Sequence, residues 1–481
     1  MKYRRALIAA IALSAAAMAG FLVYNKAESG RASSGASSPS DSSSLVPAEI
    51  LEGPQQLLAA YRKIIVLLAD EKNLGSKEKA AANQVGQALF HENLGRLGKI
   101  DGQLKQWQAL SVAQREASYD AMLTYIESGT DLYDADRLAF REVLISMQKL
   151  AAAEQTLPAI KLHKRISEDL IALDDIEKQY DQELKGIFSR FDSRAIEPKR
   201  ERWDDYLAHL RAVHTREQIM KDYGVILPYP QTPAMAASDA KEGKEARSNE
   251  IFGAGLPPKT VVLSFDDGPH PRYTAEIAAI LKQYNVPAVF FEVGKNIGSV
   301  NAQGKETLGS NAKISKALLA AGYTLGNHSY SHALLSKQTG DSLHDEITQT
   351  DQLLKAVDAG RAPLFRFPYG AHNKEGMELL SSLGLRSVMW NIDSLDWADP
   401  VPSSIADRVL SSVSKEQRGI ILFHDIHERS IKALPLVLDK LIADGYSFAG
   451  WDGKGFSVSK DNKPSTEKSA SVPATKIAGQ L

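Results

Sequence analysis

From residue 48 to about residue 224, apolar residues recur at spacings of three and four. Phe140, Val143, Leu144, Met147 and Leu150 form one stripe, and Leu173, Ile176, Tyr180, Leu184 and Ile187 form another. Few Gly or Pro residues interrupt these segments, so the pattern predicts an antiparallel helical bundle or helical hairpins. Past residue 258 the texture changes to short apolar runs alternating with helical stretches. Val261–Phe265, Ala288–Val293, Arg386–Asn391 and Ile420–Phe423 read as strands, and Thr274–Tyr284, Lys313–Ala321, Ser342–Val357 and Ile431–Ala443 as helices. That alternation predicts a parallel sheet wrapped by helices, either open or closed as a barrel.

Aperiodic stretches divide the chain. Residues 27–47 are rich in Ser and Gly, and residues 226–258 combine Pro, Gly, Ala and charge. The expected organisation is therefore a leader at 1–26, a linker at 27–47 and a helical domain at 48–225. A second linker follows at 226–258, then an α/β domain at 259–452 and a polar tail at 453–481. In the leader, Lys2, Arg4 and Arg5 precede an apolar run from Ala6 to Tyr24, the pattern of an export signal. Ala17-Met18-Ala19 offers a cleavage site, but Phe21–Tyr24 extends the run to a length that can span a bilayer. The expectation is an uncleaved membrane anchor with the domains on the periplasmic or extracellular face; secretion after cleavage is the alternative.

Composition narrows the chemistry. With 481 residues, 43% hydrophobic and 24% charged, the chain is long and ordinary enough for more than one globular domain. With a formal net charge of only −2, nothing in the overall balance argues for nucleic acid as a partner, and none is expected. Cysteine is absent, so any metal must be held by His, Asp or Glu.

In α/β folds chemistry gathers at the C-terminal ends of strands, and Asp266-Asp267-Gly268-Pro269 falls at such an end. Taken alone, the run is equally compatible with turn chemistry. His328 and His332 stand four residues apart in "NHSYSH", a spacing that brings two imidazoles together on a helix or around a turn. Two His and one carboxylate make an open coordination set, and Asp267 is placed to complete it. Arg366 in "RFPYG" is suited to bidentate pairing with a carboxylate, or is an exposed arginine in a turn. Asp393, Asp396 and Trp397 follow in "NIDSLDW", and His424 in "ILFHD", with Asp425 and His427 close by. For Trp397 and His424 the structural alternatives are core packing and a satisfied buried histidine. His91, His163, His209 and His214 are scattered over the helical region and read as surface or structural histidines.

"SFDDGP", "HSYSH", "RFPYG", "DSLDW" and "LFHD" resemble, in order and approximate spacing, the five motifs of the polysaccharide deacetylase family, carbohydrate esterase family four. The resemblance covers roughly Lys259 to Gly450 and leaves the helical region unassigned. It implies an α/β fold, a distorted (β/α) barrel preceded by the all-α region. It makes Asp267, His328 and His332 ligands of a divalent metal, usually Zn2+, with Co2+ or Ni2+ in some members. It makes Asp266 the general base, held by Arg366, and His424 the general acid, tuned by Asp396 with Asp393 as the alternative. The backbone N–H of Tyr369 would stabilise the oxyanion, and Trp397, with Pro368 and Tyr369, would line the substrate groove. Ser264 stands where threonine is more frequent, a change that keeps a small hydroxyl.

The implied reaction is metal-dependent removal of N-acetyl groups from an N-acetylglucosamine-containing envelope or extracellular glycan. An O-acetyl polysaccharide esterase would share the same site. A membrane-tethered glycan-binding or scaffold protein, in which the helical region engages a protein partner, is the non-enzymatic alternative. The segments Gly298–Asn311 and Asp399–Ser404 read as loops that shape the groove.

Overall fold

A computed structural model describes residues 47–69, 74–185, 202–224 and 249–459. The apolar run Ala6–Tyr24, the 27–47 linker apart from its last residue, most of the 226–258 linker, the end of the tail, and the side chains of Leu184 and Ile187 lie outside the described residues. Among the described residues no helix is long and apolar enough to cross a membrane.

Among the described residues the first part has seven helices of two turns or so and longer, α1 (Pro47–Leu68), α2 (Ser76–Trp107), α3 (Val112–Ser128), α4 (Arg141–Ala152), α5 (Leu157–Lys185), α6 (Trp203–Val213) and α7 (Arg216–Asp222), and a single helical turn at Asp134–Arg137. The expected stripes bury: Phe140, Val143, Leu144 and Met147 on one side, and Leu173, Ile176 and Tyr180 on another, while Leu150 is half-buried. A buried carboxylate ties distant turns together. Asp136 accepts from Arg62 Nε at 2.9 Å and from Tyr206 Oη at 2.7 Å, linking α1 to α6.

The second part is a nine-stranded sheet. Its strands are β1 (Glu250–Ile251), β2 (Thr260–Asp266), β3 (Ala288–Glu292), β4 (Thr324–Asn327), β5 (Leu364–Phe365), β6 (Arg386–Val388), β7 (Ile392–Asp393), β8 (Gly419–His424) and β9 (Ser447–Phe448). The order is β1-β6-β5-β4-β3-β2-β8-β7, every pairing in it is parallel, and β9 pairs with the start of β2. Consecutive strands β2 to β6 are neighbours, as in a (β/α) barrel, but the edge strands β1 and β7 do not pair with each other. The result is an open, half-barrel form of the expected fold. Helices α8 (Tyr273–Tyr284), α9 (Ala312–Ala320), α10 (Gly340–Val357), α11 (Lys374–Ser382), α12 (Pro402–Glu416) and α13 (Glu428–Ala443) accompany the sheet.

Strand alternation decides which side chains reach the site. Val261, Leu263 and Phe265 of β2 pack with Ile277, Leu281, Val437 and Leu441 of the helices. Val262 faces the other way, with Val289, Phe291, Val388 and Ile420. Continuing that inner row upward gives Ser264 and then Asp266.

Three expectations need correction. The run Arg386–Asn391 is a strand only to Val388; the Met389 N–H donates to the Ile251 carbonyl, and Asn391 Oδ1 accepts the Ile420 N–H at 3.0 Å, taking over a backbone role. Gly298–Val300 and Glu306–Leu308 pair as an antiparallel hairpin inside the expected groove loop. The expected loop Asp399–Ser404 runs into α12, which has Pro402 at its first position, where a missing N–H costs no helical bond.

Candidate active site

The inner row of β2 ends on Asp266, and its neighbour Asp267 leaves the strand with φ 78°. Ser329, His332, Tyr369 and Leu395 also hold positive φ, at 64°, 64°, 61° and 53°. Such backbone costs energy for non-glycine residues, and the cluster around one cleft marks a site that the surrounding fold over-determines. Gly268 is required by close approach, because a Cβ there would collide with the Asp425 carboxylate.

His328 follows β4 directly, and "HSYSH" is a loop rather than a helix. Its turn is held by Ser329 Oγ, which accepts the His332 N–H at 3.0 Å. His328 Nδ1 lies 2.8 Å from the Arg366 carbonyl. A carbonyl can only accept, so Nδ1 carries the proton and the Nε2 lone pair faces the cleft. That Nε2 is 3.5 Å from Asp266 Oδ2 and 3.5 Å from Asp267 Oδ1, and His332 Nε2 is 3.3 Å from Asp267 Oδ1. Asp267 is buried, yet neither carboxylate oxygen accepts a hydrogen bond. A buried carboxylate without donors is costly, and two imidazole nitrogens converge on it, so these three residues fit a divalent cation. Burial holds His332 well below the ordinary imidazole range despite Asp267, leaving it neutral, the form that ligates.

Arg366 is fully buried at the end of β5. Its Nη1 donates to Asp266 Oδ1 at 2.7 Å and to Ser264 Oγ at 2.9 Å, while Nε donates to the Val388 carbonyl at 3.0 Å. The pairing with Asp266 thus uses one nitrogen, not the two expected: Nη1 is shared with Ser264, and Nη2 makes no hydrogen bond among the described residues. Ser264 itself donates to the Ile421 carbonyl at 2.7 Å, so this hydroxyl is a strut between β8 and the guanidinium. Pro368 is buried at the start of the turn that sets Tyr369 beside His332, their rings 4.8 Å apart. The Tyr369 hydroxyl stays protonated, because burial pushes it up.

Across the cleft, His424 ends β8 in register with Asp266. Its Nδ1 donates to Asp396 Oδ1 at 2.7 Å, and Asp396 Oδ2 accepts the His424 N–H at 2.8 Å and Ser430 Oγ at 2.6 Å. Burial alone would lower the imidazolium, but the Asp396 carboxylate outweighs it and raises His424 to about 10. Burial likewise opposes ionisation of Asp396, yet His424 and Ser430 bring it down to about 2. Asp393 instead accepts the Leu395 N–H at 2.9 Å, a local turn contact. Asp425, bonded to Thr274 Oγ1, is pushed up to about 7 by burial.

The helical region also reaches this cleft, against the expectation for His91. His91 Nε2 lies 3.7 Å from Asp267 Oδ2, and its ring stacks on His332 with centroids 3.6 Å apart and planes 18° apart. Burial pushes His91 down to about 4, against the pull of Asp267. Phe90 packs on Trp397, His424 and His427 at centroid distances of 6.1, 6.5 and 5.1 Å. Trp397 is therefore buried, at 1% exposure, beneath α2, not presented as an open groove wall. The signal for this was present in α2: Gly86 sits inside a helix, where glycine costs about 1 kcal/mol relative to Ala. A Cβ there would lie 2.7 Å from Trp397 Cη2, so the glycine permits the close approach. His163, His209 and His214 are not part of the cluster.

Comparison with known proteins identifies the family. Residues 253–388 match the family model described as polysaccharide deacetylase. A chitooligosaccharide deacetylase of Rhizobium leguminosarum is 33% identical over 183 residues, which are 38% of this chain and 73% of that protein. The chain belongs to the polysaccharide deacetylase family. Other members similar to it include a peptidoglycan-N-acetylglucosamine deacetylase of Bacillus cereus, 34% identical over 40% of this chain and 69% of the relative. The peptidoglycan-N-acetylglucosamine deacetylase PgdA of Listeria monocytogenes is 30% identical over 40% of this chain, and the match spans only 38% of that relative's length. These polysaccharide deacetylase matches fall short of half of this chain.

Proposed function

We propose that this protein is a metal-dependent hydrolase that removes N-acetyl groups from an N-acetylglucosamine-containing polysaccharide, releasing acetate. The observation that carries the reading is the convergence of Asp266, Asp267, His328 and His332 beside the His424–Asp396 pair. Asp267, His328 and His332 would hold a divalent ion, whose chemistry when bound is polarisation of an acetamide carbonyl and acidification of water. Two imidazoles and a carboxylate without thiolate suit Zn2+, with Co2+ or Ni2+ as alternatives.

Asp266 accepts the proton of the attacking water. Arg366, donating to its Oδ1, keeps the other oxygen turned towards the cleft. The Tyr369 N–H donates to the developing oxyanion. An amine leaves poorly unless protonated, and His424, held as imidazolium by Asp396, delivers that proton from Nε2 as the C–N bond breaks. The products are acetate and a free amine on the sugar. Names borne by relatives support peptidoglycan or chitooligosaccharide as the substrate class. The basic-then-apolar leader supports an anchored or exported protein acting on the cell's own envelope polymers.

The test is acetate release from N-acetylated glycans and from acetylxylan, after chelation and restoration of zinc, cobalt or nickel. Release from the amide substrates that needs the metal is expected. Release from acetylxylan alone would make the protein an O-acetyl esterase, and no release from either would leave a binding module.

A further inference from the structure

His91 is supplied by a helix far upstream of the motifs, yet one donor atom each of His91, Asp267 and His332 lies within 4.8 Å of the other two. Its placement is held from both sides of α2. On the bundle side, Asn93 Nδ2 donates to the Leu57 carbonyl at 3.1 Å, anchoring this turn to α1. On the cleft side, Gly86 and Phe90, one turn apart on the same face, rest on Trp397. The contact is reinforced away from the cleft. Arg141 bonds Asp174 at 2.7 Å and Glu177 at 3.0 Å and approaches Glu428 at 3.3 Å. Lys432 bonds Glu177 at 3.1 Å, and Tyr273 Oη donates to Glu142 at 2.6 Å. The cavity at the junction is about 600 Å3, with Leu94 and Leu97 on one wall and Lys295, Asn296 and His427 on the other.

We propose that His91 is a further metal ligand, contributed by the helical region, which closes the coordination position that hydrolysis requires and so caps the site in the docked chain. This rests on the metal-hydrolase reading above. Three protein ligands leave a position for water and substrate carbonyl; four make the closed set of a structural site. His91 lines the same cavity as Asp267 and His332, and because an ion lies in the plane of the imidazole that holds it, the stacked ring must turn about its Cβ to share the ion; with His91 so bound, α2 must withdraw before a glycan reaches the site.

The experiment compares the full chain with His91→Ala, His91→Gln, His332→Ala and Gly86→Leu. Zn2+ affinity is read by competition with a chromogenic chelator, and the visible spectrum of the Co2+-loaded protein with and without added acetate. His332→Ala and His91→Ala are each expected to weaken Zn2+ binding by about 10- to 100-fold or more, since even groups behind a ligand have effects of that size. The wild-type cobalt spectrum is expected to ignore acetate, and those of His91→Ala, His91→Gln and Gly86→Leu to respond to it. Acetate release from a short chitooligosaccharide is expected to rise in the same three variants. If His332→Ala weakens metal binding while His91→Ala leaves affinity and spectrum unchanged, the proposal is overturned and the hydrolase reading stands. If neither weakens it, the metal reading itself fails. If His91→Ala weakens binding but lowers acetate release, His91 belongs to the working site and capping is overturned.

Discussion

The half-barrel and the helical region meet at one cleft, but they supply it in different ways. In the half-barrel each contributing side chain sits within a few residues of a strand's C-terminal end, where parallel topology gathers loops from distant parts of the sequence. In the helical region His91 sits midway along a 32-residue helix, between Phe90, which packs on Trp397, and the exposed Glu92. The first arrangement makes chemistry a property of short segments; the second makes it a property of docking.

That contrast can be broken most sharply from the half-barrel side. Asp266→Asn and His424→Ala are each expected to lower kcat about 10²- to 10⁴-fold, the range for a lost base or acid, in a steady-state acetate assay. Full activity in both would remove the half-barrel's claim to the chemistry.

Replacing Arg366 with Met leaves the Asp266 carboxylate buried without its cation. Breaking a buried pair in this way costs about 3–5 kcal/mol, read as a lowered denaturation midpoint. An unchanged midpoint would show that Asp266 finds other support.

Asp396→Asn tests the tuning of His424. The proton donor must be protonated, and with its partner carboxylate it stays so until the pH rises through about 10. Without that negative charge burial dominates, and the alkaline limb of kcat/KM should move down to about 6.5, the ordinary imidazole value, or below. A limb that does not move would deny the Asp396–His424 coupling.

From the helical side, Gly86→Leu should cost about 1–3 kcal/mol of stability, the usual range for overpacking, because its Cβ meets Trp397. The smallest effect belongs to the outer charges. Lys432→Ala should change stability by no more than about 1 kcal/mol, since part-exposed ion pairs contribute little. A large loss there would mean that docking depends on charge more than on the Phe90–Trp397 contact.

How far these features could be read along the chain follows the same division. The fully buried runs of β2 and β8 announce themselves as strands to within a residue, because both faces are covered and the middle of each run is mostly apolar. The four-residue β4 does not: it contains Gly326, and a Cβ there would meet the Phe291 ring at 2.6 Å. A glycine that reads as loop punctuation is in fact a packing requirement between neighbouring strands. Arg366 was legible as a partner for Asp266, but the sharing of its Nη1 between Asp266 and Ser264 depends on where the fold places it. Trp397 was legible as part of the site, and its cover was not.

By itself the sequence determined the strand–helix alternation, the half-barrel's motif residues and their order, because those signals are local and repeat with the period of the structure. Tertiary structure alone decided that His91 stacks on His332 and that Phe90 covers Trp397. A helix whose apolar positions extend beyond one stripe reveals that it is buried on more than one side. What fills the second side is set by packing between surfaces far apart in the chain, and no spacing within the helix encodes it.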